Sequence, residues 1–308
     1  MCGINGLFSF SGVGIDRAAD NIAAMNERLS HRGPDDRGYW KDPSGKVFFG
    51  HLRLSIIDLS PSGHQPMISR NGTTIVFNGE IYNYKEIRER FFKNEQLNSS
   101  GDTEILLRLY EKFGEDCLQY LNGMFAFAIW DPAKEELFLA RDRAGKKPIY
   151  YSIRNGVFAF SSEIKGLLEL PYVKAELDED ALYHFLTYNL LPPPMTMFKG
   201  ISKFHPAYKM KVGKNGIQSY EPYWDVNYSD LSTQSEDQVA QKIREAFTKA
   251  VDYRMVSDVP VGAFLSGGVD SSAVVAAMAK RSSHAVKTYS VGFEGQPDYD
   301  ELKYAAVV

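Results

Sequence analysis

A cysteine stands second in this chain, in the opening Met1-Cys2-Gly3-Ile4. Initiator methionine ahead of a small residue is normally clipped, so the expected mature chain starts at Cys2. Its thiol and its free α-amine then belong to one residue. An α-amine titrates at about 7.7–8.0, well below a lysine. It can serve as a base near neutral pH, beside a sulfur that is an intrinsically strong nucleophile. One residue thus carries both halves of a nucleophile–base pair. Position alone favours the competing reading, a small buried hydrophobe near a chain end, so other residues have to decide.

A second chemical signal lies at Ser266-Gly267-Gly268-Val269-Asp270-Ser271-Ser272. A strand pattern over 259–265 precedes it and a helical pattern over 272–281 follows. A strand-to-helix junction presents unpaired backbone N–H groups at the positive end of the helix dipole. Gly267 and Gly268 let an anion approach the backbone closely. Ser266, Ser271 and Ser272 add hydroxyl donors, and Asp270 offers an oxygen ligand for Mg2+. No Gly-Lys-Ser/Thr is present, so this is not the lysine-bearing phosphate loop of common ATPases. The alternative is a glycine-rich turn capped by serines.

The elements that must position these groups fall into two blocks. The 308 residues suggest two domains, and 44% hydrophobic with 24% charged residues is ordinary for a globular protein. A net charge of −4 offers no basic field for nucleic acid or an anionic membrane surface. Two cysteines, Cys2 and Cys117, make no disulfide framework, and Cys117 reads as packing; a reducing cytoplasm is expected. No apolar run reaches a membrane span, and no secretion leader is visible. Residues 4–10, 74–77, 125–130, 137–140, 149–152 and 157–160 read as strands separated by turn residues, as in a layered antiparallel fold. Ile15, Ala19, Ile22, Met25 and Leu29 form one helical stripe; Ile105, Leu106, Leu109 and Phe113 form another, closed by Gly114. The pattern changes near Pro192-Pro193-Pro194, and polar sequence follows over 225–233. Ser235 and Gln238 have capping-box spacing ahead of the stripe Val239, Ile243, Phe247 and Val251. Strand 259–265, the helix, and strand 287–293 then make a βαβ unit, expected in a parallel sheet with a right-handed crossover. A single crossover is a marginal domain, so the second block is expected to be incomplete.

The segments Cys2-Gly3-Ile4, His31-Arg32-Gly33-Pro34-Asp35, Arg53-Leu54-Ser55-Ile56, Asn78-Gly79-Glu80-Ile81-Tyr82-Asn83 and Gly101-Asp102-Thr103-Glu104 occur in that order. Together they resemble the class II glutamine amidotransferase domain. The run from Ser266 to Ser272 resembles the pyrophosphate loop of the N-type ATP pyrophosphatases. Arg141-Asp142-Arg143-Ala144-Gly145-Lys146-Lys147-Pro148 and Ser162-Glu163-Ile164-Lys165 match the scaffold. The chain thus resembles the glutamine-hydrolysing asparagine synthetase family over nearly all of its length. The resemblance implies an α+β N-terminal nucleophile (Ntn) hydrolase-type domain of layered antiparallel sheets, residues 2–212. An α/β parallel-sheet ATP pyrophosphatase domain, residues 234–308, follows and is incomplete in this chain.

The resemblance also implies roles. Cys2 attacks the side-chain amide of glutamine, and its α-amine acts as the base. Asn78 and the Gly79 N–H form the oxyanion hole. Arg53 takes the α-carboxylate, for which its planar fork suits. Asp102 and Glu80 hold the α-ammonium. His31 orders a loop. Ammonia passes through an internal tunnel to β-aspartyl-AMP, made from aspartate and ATP. Residues 266–272 hold the pyrophosphate part of ATP, Phe264, Leu265 and Val291 lie near the adenosine, and Asp270 takes Mg2+. Asp298, Asp300 and Glu301 resemble an acidic stretch of the family, with a solvated helix start as the plain alternative. Taken singly, Arg53 also fits an exposed strand residue, Asn78-Gly79 a hairpin turn, and Asp102 a helix cap.

The implied partners are glutamine, ATP and aspartate or another carboxylate acceptor such as a sugar acid. The resemblance leaves room for a homodimer, and no nucleic acid or membrane is expected. Pro206-Ala207-Tyr208 departs from the family's Pro-Gly-His. Because the family continues beyond Val308, this polypeptide is expected to hydrolyse glutamine and to make little asparagine. A non-catalytic regulatory module is the least favoured reading, since Cys2, Arg53, Asn78 and Asp102 are intact.

Overall fold

The computed structural model describes residues 1–10, 14–229, 231–295 and 300–308. The chain divides into two units, Met1–Val226 and Asn227–Val308.

In the first unit the strands are β1 (Gly3–Ser9), β2 (Asp36–Lys41), β3 (Val47–Arg53), β4 (Met67–Ile68), β5 (Thr74–Ile81), β6 (Gly123–Asp131), β7 (Glu136–Arg141), β8 (Tyr150–Arg154), β9 (Val157–Ser161), β10 (Ser202–Lys203), β11 (Tyr208–Gly213) and β12 (Gly216–Pro222). Its α-helices among the described residues are α1 (Ala18–Arg28), α2 (Tyr84–Phe91), α3 (Asp102–Phe113), α4 (Ile164–Leu167) and α5 (Glu179–Tyr188). The strands form two antiparallel sheets, ordered β10-β8-β9-β1-β3-β2 and β12-β11-β7-β6-β5-β4. Alternation along each strand explains why they stack. Ile4 and Phe8 of β1 meet Val76 of β5 and Ala126, Ala128 and Trp130 of β6 in one buried core. Leu7, one residue out of phase, packs with Ile22 and Met25 of α1 on the opposite face. On the outer face of the second sheet, Tyr110 of α3 stacks on Phe138 of β7. Gly6 is required where β1 crosses the core, because a Cβ there would lie 2.1 Å from the Phe160 ring.

The strand pattern read from sequence reappears with longer ends. β5 runs on through Asn78 and Gly79 to Ile81, so these two residues lie inside a strand and not in a hairpin turn. The α1 stripe holds at Ile22, Met25 and Leu29, which are buried; at its start Ala18 is buried in place of the expected Ala19, where the helix opens after Arg17 in a left-handed conformation. Past residue 212, β12 pairs with β11 and extends the second sheet.

The second unit holds α6 (Glu236–Arg254), β13 (Gly262–Phe264), α7 (Val269–Arg281), β14 (Lys287–Tyr289) and α8 (Leu302–Ala305). β13 and β14 are parallel, as the βαβ pattern requires. The capping box is formed: the Gln238 N–H donates to Ser235 Oγ and the Ser235 N–H donates to Gln238 Oε1. Both strands are shorter than their apolar runs; Pro260 has no N–H to give a ladder. α7 begins at Val269, with the Ser272 N–H already bonded to the Gly268 carbonyl at 3.0 Å, so the glycine-serine loop includes the first helical turn.

Candidate active site

Cys2 sits immediately before β1, and the pairing Gly3↔Leu52 sets it beside the end of β3. The Leu54 N–H donates to its Sγ at 3.4 Å, and the thiol faces the Leu54 carbonyl at 3.6 Å. The Arg32 Nε donates to the Cys2 carbonyl at 2.9 Å. Arg32 is itself held by Glu163 at 2.8 Å, which also pairs with His31 at 2.9 Å and Lys165 at 3.2 Å. Burial works against the Glu163 charge, yet these three donors together pull its carboxyl down to about 2. His31 is therefore part of the clamp on the Cys2 backbone. Burial of the sulfur pushes the Cys2 thiol up; the Leu54 N–H, the chain-terminal amine and Lys147 oppose that rise.

Asn78 is fully buried, and neither its Oδ1 nor its Nδ2 has a hydrogen-bond partner among the described residues. Buried amides are rarely left so, because an unmet donor or acceptor costs about 1–3 kcal/mol. Such an amide is poised to meet a group that arrives with a ligand. Next to it, Gly79 can be nothing larger: a Cβ would lie 2.2 Å from the Met124 carbonyl oxygen. Burial raises the Glu80 carboxyl, and the Lys147 charge partly offsets this.

Arg53 ends β3 and is buried at 7% exposure, which removes the exposed-strand reading. Its guanidinium donates to the carbonyls of Ser60 at 3.0 Å and Ile57 at 3.4 Å, and to that of Asp58. Gly63 makes the space, since a Cβ there would meet Arg53 Nη2 at 1.9 Å. The Asp58 carboxylate fastens this loop, accepting from the Ser60 N–H at 3.1 Å, Ser62 Oγ at 3.0 Å and the Ser100 N–H at 2.9 Å. Two residues beyond Ser100, Asp102 opens α3; its carboxylate accepts the Ile81 N–H at 2.8 Å. Burial lifts the Asp102 carboxyl to about 7; the Ile81 N–H opposes this and the nearby Glu80 charge adds to it. Gly101 holds the N-cap position of α3 and no side chain caps it, so Asp102 is the first helical residue and not its cap.

One pocket is lined by Cys2, Arg53, Asn78, Gly79, Glu80 and Asp102. It juxtaposes a sulfur nucleophile, an unpartnered amide, a cation fixed in a loop and two carboxyls. Such a site can bind a small zwitterion and attack a carbonyl beside it. Lys147 and Gln65 also line it. Sequence reading placed Lys147 only in a scaffold motif, and Gln65 carried no signal of its own.

In the second unit, Phe264, Leu265, Ser266, Ser271 and Val291 share a pocket with Tyr289, Ser290, Phe293 and Glu301. Gly267, Gly268, Asp270 and Ser272 belong to the adjoining loop and first turn of α7 and do not line that pocket. Gly267 adopts φ +81°, and a Cβ on it would meet the Tyr304 backbone carbon at 2.3 Å, so glycine is required twice over. Ser266 Oγ and Ser271 Oγ lie 3.0 Å apart, and the Gly268 N–H donates to Ser266 Oγ at 3.3 Å. Asp270 is exposed, and among the described residues no group of three or more His, Cys, Asp or Glu could hold a metal ion. Asp300 accepts the Leu302 N–H at 2.9 Å, the helix-start role. Asp298 lies outside the described residues. No described helix is long and apolar enough to cross a membrane.

Residues 1–224 match the family described as a glutamine amidotransferase domain, and residues 242–308 match asparagine synthase. The asparagine synthetase (glutamine-hydrolyzing) 3 of Bacillus subtilis (strain 168) is 39% identical over 308 residues, covering 97% of this chain and 49% of its own. The asparagine synthetase (glutamine-hydrolyzing) 1 of that organism is 40% identical over 301 residues, covering 96% of this chain and 46% of its own. The amidase chry2 of Gibberella zeae is 33% identical over 299 residues, covering 93% and 43%. The chain thus spans about half the length of these curated relatives. A glutamine phosphoribosylpyrophosphate amidotransferase from B. subtilis, solved with ADP and GMP, superposes with a TM-score of 0.53 at 16% identity, covering 96% of this chain and 67% of that one. At that identity the likeness speaks to the fold, an Ntn amidotransferase arrangement of two antiparallel sheets.

Proposed function

The chain belongs to the glutamine-hydrolysing asparagine synthetase family, and from that premise we propose that its first unit releases ammonia from glutamine at Cys2. Arg53 takes the substrate α-carboxylate, and Asp102 with Glu80 takes the α-ammonium. The side-chain amide carbon then faces the Cys2 sulfur. The α-amine, freed by loss of Met1, accepts the thiol proton, and the thiolate attacks. The negative oxygen is met by Asn78 Nδ2 and the Gly79 N–H. The proton held by the α-amine passes to the leaving nitrogen, ammonia departs and a thioester remains. Water, deprotonated by the same amine, attacks the thioester; glutamate leaves and the thiol is restored.

In the second unit, residues 266–272 hold the pyrophosphate portion of ATP at the N-terminal end of α7, with Phe264, Leu265 and Val291 beside the base and sugar. The β-carboxylate of aspartate attacks the α-phosphorus, pyrophosphate leaves, and ammonia displaces AMP to give asparagine. The lone Asp270 carboxylate fits Mg2+, which is commonly held by one or two carboxylates together with substrate phosphates. Bound there, it would neutralise phosphate charge. A reducing cytoplasm suits the catalytic thiol.

The observation that carries the first step is the buried, unpartnered Asn78 amide in one pocket with Cys2, Arg53 and Asp102. Glutamate and ammonium release from glutamine should be measurable and should vanish in C2A. Hydrolysis that persists in C2A would overturn the reading. The second step is read separately, as asparagine and AMP formed from aspartate, ATP and ammonium.

A further inference from the structure

Lys147 is buried at 6% exposure on the wall of the Cys2 pocket. Lysine is almost never so buried unless paired. Among the described residues no hydrogen bond or ion pair is made by its Nζ. Its backbone, by contrast, is bracketed on both sides. The Asp142 carboxylate accepts the N–H groups of Lys147 at 3.0 Å, Lys146 at 2.9 Å, Ala144 at 3.1 Å and Phe125 at 3.1 Å. Arg141 Nε donates to the Lys147 carbonyl at 2.8 Å. The loop is therefore built to hold this side chain at a fixed place, with its charge facing the pocket.

Resting on the glutaminase reading above, we infer that Lys147 is a positioning residue that sets the charge balance of the pocket, favouring the Cys2 sulfur as thiolate and Glu80 as carboxylate. The groups around it and the Cys2 sulfur are the chain-terminal amine, Glu80 on β5, Asp102 at the start of α3, whose charge raises the thiol, Asp142 and Arg32. Burial lowers the Lys147 ammonium, and the negative forms of Glu80 and Cys2 raise it. The same attraction, seen from the other side, lowers both Cys2 and Glu80 against their burial. Proximity of an opposite charge typically moves a titration by 1–3 units. Lys147 acts through the sulfur and carboxylate and makes no bond to the reacting atoms.

The test is the pH dependence of iodoacetamide alkylation at Cys2, read by mass spectrometry of the N-terminal peptide so that the buried Cys117 does not contribute. K147M should move the midpoint up by about one unit, and K147R should leave it near the wild-type value. The glutaminase kcat at neutral pH should fall roughly tenfold in K147M. If K147M does not fold, K147Q takes its place with the same expectation. A midpoint that stays put when the charge is removed, or one that moves equally in K147R, overturns the inference. If the midpoint shifts while the wild-type chain fails to hydrolyse glutamine, the Lys147 inference stands and the glutaminase reading falls. Hydrolysis with an unmoved midpoint means the reverse.

Discussion

Replacing Asp102 by asparagine removes a carboxyl that burial lifts to about 7 from an ordinary 3.8. Below both values the group is protonated in the folded and unfolded chain alike. Between them only the folded state keeps the proton, so stability falls as pH rises, and the loss levels off above about 7. Between about pH 5 and about pH 8, the loss accrues over the roughly two units below the folded value of about 7, or ~3 kcal/mol at 1.36 kcal/mol per unit. Asparagine has no such titration, and its side-chain oxygen can still accept the Ile81 N–H. D102N should therefore gain ~3 kcal/mol on the wild type between the two pH values. In urea unfolding, with a slope of about 2–3 kcal/mol per molar, the gap between the two midpoints should widen by roughly 1 M. The same variant should bind glutamine poorly, because asparagine cannot neutralise an ammonium. In the wild type, KM should fall as pH rises through about 7, where the carboxylate forms. A midpoint gap identical at both pH values would refute the claim that burial keeps this carboxyl protonated.

Three further outcomes follow from the same site. N78A should lower kcat for glutamine by about 100- to 1,000-fold, the usual loss for one oxyanion donor. It should also unfold no more easily than the wild type, because it removes two buried, unpartnered polar atoms; a large loss of stability would mean the amide is structural. R53K should raise KM by roughly tenfold or more, since an ammonium cannot replace a fork that engages carbonyls of Ile57, Asp58 and Ser60; kinetics unchanged by the swap would count against that role. G79A should destabilise the first unit by about 1–3 kcal/mol in chemical denaturation, because its Cβ meets strand backbone at Met124.

Much of this was legible in the chain itself. The strand over residues 4–10 is legible, and the structure covers both its faces, with Ile4 and Phe8 on one and Leu7 on the other. The capping box at Ser235 is local chemistry and survives intact. What sequence hides is register. Asn78-Gly79 reads as a turn until Asn78↔Ala126 pairing locks it into β5 and strips its amide of partners. Lys147 reads only as part of a scaffold motif until Asp142 folds its loop inward. The length of the first unit depends on the β11–β12 hairpin, which tertiary pairing alone reveals. The start of α7 was read late because serine and aspartate favour caps, whereas here Gly268 caps and they fill the first turn.

The most direct measurement is covalent trapping with a chloroketone analogue of glutamine, mapped by mass spectrometry on chain from which Met1 has been removed. The account predicts one adduct, on the sulfur of Cys2, formed with saturation and slowed by glutamine. An adduct on Cys117, labelling that glutamine does not slow, or an unmodified Cys2 after prolonged exposure would contradict it.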